Sequence, residues 1–321
     1  MEKAVLLYNP DSGANQSRRL GQVRSAQAIL QKAGVEAKLV LTESPAHAGE
    51  HASRAIEDSC DTVFACGGDG TIHNIIQVLA QTDVALGILP MGTGNTLAHD
   101  LMLPLKVGAA AAVALRAKPR RIALGRVRYV DFHGNPGSRY FIVTSGIGVD
   151  AHLFYKLNHG IKQRWGMTAY YLKAWHLWLT YPMPRFHAEY ADTGVGELRR
   201  ADLTELMSVR IRNFGGVLRE LAPGASLDRD DLRLILCRTA SRIAYLTYVT
   251  QCLLGWRWPI RGIELASSRN VTCKYIQPSG VRDTKTDSPT SIYVEADGEL
   301  LGTLPVEIDV VPNALTLLSQ T

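Results

Sequence analysis

The chain of 321 residues lacks any stretch near the ~20 consecutive apolar residues that a helix needs to cross a bilayer, so contact with a membrane is expected to be peripheral. The run from Met1 to Pro10 holds one short apolar segment that ends at once in turn residues, too short for the core of a signal peptide. The five cysteines, Cys60, Cys66, Cys237, Cys252 and Cys273, form no C-x-x-C pair and are odd in number. This argues against a disulfide framework or a zinc site and fits a reducing cytoplasm. His47, His51, His99, His152 and His159 have no metal-ligand spacing, and no local Ser–His–Asp or Cys–His set is visible. Internal repeats and low-complexity tracts are absent as well. Charge is also scarce: 35 Lys and Arg against 30 Asp and Glu leave a net charge of +5. That excess is too mild to argue for nucleic acid. It suits phosphates or anionic lipid as readily as an ordinary solvated surface.

What is present is a globular composition, 46% hydrophobic, in a chain long enough for about two domains. Residues 4–8, 37–42, 62–66 and 84–89 read as buried strands. Helical stretches lie between them, the clearest being Ile72, Ile75, Ile76 and Leu79 at i, i+3, i+4, i+7. Strand–helix alternation of this kind predicts a doubly wound α/β domain with a parallel sheet, over residues 1–122. Beyond it, strand-like runs at 122–130, 140–145, 207–213, 232–237, 271–276, 291–296 and 304–311 predict an antiparallel β-sandwich. This second domain spans 123–321, with helical insertions near 153–180 and 240–255 and a tail that returns toward the first domain.

Cys66-Gly67-Gly68-Asp69-Gly70-Thr71 follows a strand and opens a helix. A glycine-rich turn in that place lets backbone N–H groups approach a phosphate, and the positive end of the helix adds to the attraction. Asp69 is suited to position a magnesium ion held by the phosphates. The turn is neither a Walker loop, since no Lys-Ser/Thr pair follows, nor G-x-G-x-x-G, which disfavours a dinucleotide oxidoreductase. Pro90-Met91-Gly92-Thr93-Gly94-Asn95 repeats the pattern after the fourth strand, Asn9 to Gly13 (with Ser12) follows the first, and Thr42 follows the second. In an open α/β sheet ligands collect at the carboxyl ends of the strands, where all four segments converge. Near the other terminus, Asp297-Gly298 suits a two-residue hairpin turn that would put Glu299 at the start of a return strand.

N-P-x-S-G, G-G-D-G-T, P-x-G-T-G-N and the late D-G-E together resemble the catalytic-domain signature of the diacylglycerol kinase and sphingosine kinase family, over essentially the whole chain. The resemblance implies an active site in the cleft between an α/β nucleotide domain and a β-sandwich, with ATP and Mg²⁺ and a lipid alcohol of diacylglycerol or sphingoid type as acceptor. By motif match, Gly67, Gly68, Asp69, Gly70, Thr71, Thr93 and Asn95 would touch ATP. Thr42 falls where the family has a nucleotide-contacting Thr, and Glu299 falls where it places the general base. Asn9, Ser12 and Gly92 belong to the same strand-end set.

Departures from the pattern are specific. The family follows GGDGT with x-N-E or H-E, and this chain has Ile72-His73-Asn74 without the carboxylate. Pro223 to Leu232 resembles a segment that holds a structural magnesium in some relatives, but Arg229 stands in place of one Asp, so no protein-held metal is expected here. Asp150, in Ser145 to Ala151, serves either a structural hinge or a substrate contact. The aromatic and basic run Leu153–Tyr181, and Gln251–Trp258 after it, packs on the sandwich or meets a membrane interface. Two other functions remain open beside a lipid kinase. One is an NAD kinase-like enzyme, which shares GGDGT, and the other is a catalytically weak lipid- or nucleotide-binding protein.

Overall fold

The computed structural model describes residues 1–10, 16–156, 175–216, 220–276 and 291–320. Four parallel strands, β1 (Lys3–Tyr8), β2 (Glu36–Leu41), β3 (Thr62–Gly67) and β4 (Ala85–Pro90), lie in the order β2-β1-β3-β4. Every position of β3 and β4 is buried, as expected of apolar runs covered on both faces. Helices α1 (Gln16–Lys32) and α5 (Val107–Ala114) cover one face, packed on Leu6, Phe64 and Leu89. Helices α2 (Pro45–Glu57) and α3 (Asp69–Leu79) cover the other, packed on Leu7, Val63 and Ile88. The Ser44 side chain caps the start of α2, and the stripe of Ile72, Ile75, Ile76 and Leu79 faces the sheet from α3. A short helix, α4 (Thr96–Asp100), follows β4.

The second half is antiparallel. Its strands are β5 (Lys118–Val130), β6 (Pro136–Phe141), β7 (Thr144–Gly148), β8 (Phe186–Asp192), β9 (Glu197–Leu203), β10 (Glu205–Val209), β11 (Leu232–Cys237), β12 (Ile263–Tyr275), β13 (Tyr293–Ala296) and β14 (Glu299–Ser319). The pairings β14–β13, β13–β7, β7–β10, β10–β11, β11–β12 and β12–β14 return to their start and enclose a core that includes Phe141, Phe186, Tyr190 and Leu206. Helix α6 (Val149–Lys156) follows β7, residues 175–180 are helical, and α7 (Arg242–Leu254) follows β11. The hairpin of β8 and β9 does not appear among the sequence-based strands. Its alternation is spoiled at Leu198, which faces solvent although apolar.

Strand β14 joins the two halves. Beside Glu299 it pairs with β13, along most of its length it pairs with β5, and at Thr316 and Leu317 it runs parallel to Ala85 and Leu86 of β4. Residue 122 lies inside β5, within this spine. A register shift between Val311 and Leu315, at Pro312 and the left-handed Asn313 (φ 49°), bends β14 from one sheet into the other. Strand β14 thus ties the sandwich to the parallel sheet, and Glu299 sits at the first residue of that tie.

Of the aromatics in the 153–181 segment, Tyr181 is buried, whereas Tyr155 and Trp175 are exposed; residues 157–174 lie outside the described residues. Asp228 and Asp231, in the stretch compared with a structural magnesium site, pair with Arg120 and Arg229 respectively, so guanidinium groups hold these carboxylates.

The sandwich also gathers three acids, of which Glu205 and Glu295 are buried and Asp150 is half-buried. Asp150 lies in the first turn of α6, close to both Glu205 and Glu295. An added Cβ on Gly146 would lie 2.6 Å from Asp150 Oδ2 and 3.0 Å from Glu295 Oε1, so the cluster needs a glycine there. Burial, and then mutual repulsion, pushes Glu205 and Glu295 well above the usual carboxylate range, and burial raises Asp150 to about 6. Raised folded-state values mean that the folded chain holds more protons than the unfolded one. The cluster's contribution is therefore complete below the ordinary carboxylate range and is lost as pH climbs, at up to ~1.4 kcal/mol per pH unit per group. Glu205→Gln is expected to flatten this slope, so the variant's advantage in melting temperature over the wild type should widen between about pH 5 and pH 7. Parallel melting curves for the two proteins across that range would contradict the assignment.

Candidate active site

The turn after β3 is built for close backbone approach. Gly68 is the N-cap of α3, and Thr71 and Ile72 both donate to its carbonyl, at 3.0 and 3.2 Å. The N–H groups of Asp69 and Gly70 are left without an intrahelical acceptor, pointing from the positive end of the helix. A Cβ on Gly67 would meet Thr71 Oγ1 at 2.3 Å, so the turn closes over its own threonine.

The second loop is locked against the first. Met91 N–H donates to the Gly67 carbonyl at 2.9 Å. Gly92 crosses Gly68 so tightly that a Cβ on Gly92 would stand 2.5 Å from Gly68 Cα. Asn95, in the left-handed region at φ 49°, braces the loop from within: its Oδ1 accepts from Gly92 N–H at 2.8 Å and its Nδ2 donates to Gly92 O at 2.9 Å. Asp69 bridges the two loops, accepting from Thr96 Oγ1 and from Leu97 N–H at the start of α4, both at 3.4 Å. Thr93 stands exposed at the tip.

The remaining strand ends complete the rim. Asn9 is buried after β1. Thr42 N–H donates to the Tyr8 carbonyl at 2.8 Å, while its buried hydroxyl oxygen has no hydrogen-bond partner among the described residues. An orphaned buried hydroxyl at the carboxyl end of β2, on the sheet edge that also bears the two glycine turns, is a feature that folding alone does not explain, and it fits a polar ligand on this edge. Ser12 lies outside the described residues.

Glu299 arrives from the far end of the chain. Asp297 (φ 48°) and Gly298 (φ 83°) both take positive φ, the form of a two-residue turn between β13 and β14. Asp297 is committed to structure: its carboxylate accepts from the N–H groups of Ile142, Val143 and Thr144 at 3.0, 2.9 and 3.0 Å and faces His73 Nδ1 at 3.4 Å. Gly298 N–H donates to Glu295 Oε2 at 2.7 Å. Glu299 is the opposite case: among the described residues its carboxylate makes no hydrogen bond or ion pair with the protein. It projects over the first loop, and a Cβ on Gly70 would lie 3.9 Å from Glu299 Oε1.

The carboxylate opens into a cavity of about 370 Å³, lined also by Ser44, His73, Asn74, Tyr129 and Arg139. The sequence offered no signal for Tyr129 and Arg139, which reach the site through the β5–β6 pairing. His73 has no role in the sequence reading beyond its place before Asn74, yet its side chain joins α3 to the Asp297 turn. Asn74, the position without the expected carboxylate, donates to its own Gly70 carbonyl at 2.9 Å. Among the described residues, no group of three or more His, Cys, Asp or Glu side chains gathers as a metal cage.

A parallel α/β domain whose glycine turns face a carboxylate delivered by an antiparallel sandwich defines a two-domain class with the ligand edge at the domain junction. Residues 3–127 match the diacylglycerol kinase catalytic domain, and residues 143–319 match the YegS C-terminal NAD kinase beta sandwich-like domain. Together the two matches take in nearly the whole chain, which belongs to the family that joins a diacylglycerol kinase catalytic domain to a YegS-type C-terminal β-sandwich. It is 28% identical over 313 residues to a diacylglycerol kinase of Bacillus subtilis, covering 96% of this chain and 93% of that one. It is likewise 28% identical over 322 residues to a diacylglycerol kinase of Mycobacterium tuberculosis, covering 98% and 94%. The crystal structure of a diacylglycerol kinase from Bacillus anthracis superposes with a TM-score of 0.68 at 15% identity, over 99% of this chain and 97% of that one. Yeast NADH kinase complexed with NADH superposes at 0.50 and 11% identity, over 100% and 84%, a likeness of fold alone.

Proposed function

We propose that this protein is an ATP-dependent lipid kinase that transfers the γ-phosphoryl group to the hydroxyl of a diacylglycerol-like or sphingoid lipid. The observation that carries this reading is the unpartnered Glu299 carboxylate held beside Gly70 of the first glycine turn. The relatives named as diacylglycerol kinases, matched over nearly their full length, support the acceptor class.

The N–H groups of Asp69 and Gly70, with the orphaned Thr42 hydroxyl, are the partners offered to a polyphosphate. Asn9, Ser12, Gly67, Gly68, Thr71, Gly92, Thr93 and Asn95 form the rest of that binding edge. Asp69, already bridging the two loops, is the carboxylate nearest to hand for a magnesium ion carried by ATP, and that ion would neutralise charge on the phosphates. Glu299 accepts the proton of the lipid hydroxyl as its oxygen forms the new bond to the γ-phosphorus. The bond to ADP breaks, and ADP departs with the electron pair. Asp297, fixed by three backbone donors, holds Glu299 in place without touching the reacting atoms. We place this activity on the cytoplasmic face of a membrane. All five cysteines are free, and among the described residues no helix is long and apolar enough to cross a bilayer.

The test is incubation of purified protein with γ-labelled ATP and, in separate reactions, dispersed diacylglycerol, a sphingoid base and NAD. Label is expected in a lipid phosphate. Label in NAD alone would favour the NAD kinase-like reading, and no transfer to any acceptor despite ATP binding would leave a nucleotide-binding protein without the activity.

A further inference from the structure

The exposed surface of α7 has the wrong polarity for a helix in water. Tyr245, Tyr248 and Cys252 turn inward onto the sandwich, yet the outer face is apolar too, with Ile243 77%, Leu246 41%, Leu253 46% and Leu254 54% exposed. No charged residue occurs between Arg242 and Arg257. Gly255, left-handed at φ 70°, ends the helix and turns the chain into Trp256 and Trp258, whose rings stack at 5.1 Å and stand 50% and 66% exposed. A helix in solvent normally carries its charges on the outer face, and a contiguous apolar patch on a folded chain marks a docking surface.

Charge identifies the occupant. Four arginines, Arg238, Arg242, Arg257 and Arg261, bracket the helix and the Trp tip, with no acidic residue anywhere from 238 to 261. Glu264 and Glu220 answer Arg238 and Arg257; among the described residues no carboxylate pairs with Arg242 or Arg261. Apolar side chains and tryptophans flanked by a net excess of arginine, with Arg261 exposed and Arg242 held only by the Tyr181 carbonyl, match the headgroup layer of an anionic bilayer, where rings sit at the interface and guanidinium groups meet phosphates.

The inner face of the same helix packs back toward the hairpin that carries Glu299. Tyr245 of α7 packs with Tyr181, which stacks on His152 at 4.1 Å. His152 lies 5.8 Å from Tyr293 of β13, the strand whose return begins at Glu299. Aromatic contacts therefore run from the inner face of α7 to the strand pair that carries the carboxylate.

We propose that the outer face of α7 together with the Trp256–Trp258 tip is the surface by which this protein lies on an anionic membrane. The inference takes from the lipid-kinase reading only the reason for visiting a bilayer. Its test is co-sedimentation with vesicles of phosphatidylcholine, with and without phosphatidylglycerol, alongside activity on a short-chain, water-dispersed diacylglycerol. The double variant Trp256→Ala/Trp258→Ala is expected to lose on the order of 10–100-fold in binding to the mixed vesicles. Leu253→Glu, on the same exposed face, should do likewise, and both should keep the wild-type rate on dispersed substrate and the wild-type melting temperature. Wild-type binding should weaken without phosphatidylglycerol, and brominated lipid should quench the tryptophan fluorescence of the wild type more than that of the double variant. Variants that sediment like the wild type would overturn the proposal. So would a wild-type dimer that the variants convert to monomer with vesicle binding unchanged, since the face would then join two copies. If the variants lose vesicle binding while the wild type phosphorylates no lipid at all, the docking surface stands and the kinase reading falls.

Discussion

Glu299→Gln is expected to lower kcat by about 10²–10⁴ while ATP binding and the melting temperature stay at wild-type values, because a positioned general base contributes on that scale. The split follows from how the two acids of one turn are used. Asp297 is saturated by three backbone N–H groups, so its replacement would disturb the fold. Glu299 is exposed and makes no hydrogen bond or ion pair among the described residues, so the amide of similar shape removes only the capacity to take a proton. Gln also keeps the volume beside Gly70 unchanged. The measurement is a single-turnover transfer assay paired with nucleotide titration. Equal transfer rates for wild type and variant would remove Glu299 from the chemistry, and a lost ATP affinity would recast it as a binding residue.

The parts of this site that are contiguous in sequence were the legible ones. Gly67 to Thr71 and Gly92 to Asn95 announce themselves because close backbone approach demands glycine and because each follows an apolar strand that the residue pattern reveals. The Asp297-Gly298 turn was legible for the same reason: left-handed backbone at consecutive positions restricts the residues that fit. What the sequence hid was everything decided by long-range pairing. Tyr129 and Arg139 face the cavity only because β6 pairs with β5 and β5 with β14. His73 carries no role in the sequence alone, since its meaning lies in a carboxylate 224 residues away. The last part of β14, beyond residue 311, is hidden in the sequence, where Pro312 and Asn313 read as the end of a strand; in the fold they bend it, and from Leu315 it rejoins β5 and meets β4. In the hairpin of β8 and β9, Leu198 blurs the pattern of β9 by putting an apolar side chain on the solvent face. The apolar outer face of α7 is a related case: periodicity gives the helix, but only tertiary packing tells which of two apolar faces is left uncovered.

The crossing of the two loops leads to the other large effect. Gly92→Ala adds one methyl group 2.5 Å from Gly68 Cα and 3.0 Å from Asn95 Oδ1. The nearest atom is backbone, so no side chain can swing aside, and the loops must separate by something near an ångström. Displacement of that size in a positioned site costs on the order of 10²-fold in rate. It also strains the bonds by which Asn95 braces Gly92 and by which Asp69 holds Thr96 and Leu97. We expect kcat/KM for ATP to fall by about 10²-fold, with nucleotide affinity falling alongside it, because the same displacement opens the phosphate cradle. Gly21→Ala is the matched control: it lies inside α1 with nothing within 4 Å of the added methyl, and should stabilise the protein by roughly 0.5–1 kcal/mol without touching activity. If Gly92→Ala retained wild-type affinity and rate, the two loops could not be the paired walls of a polyphosphate site, and the carboxylate of Glu299 would be facing something else.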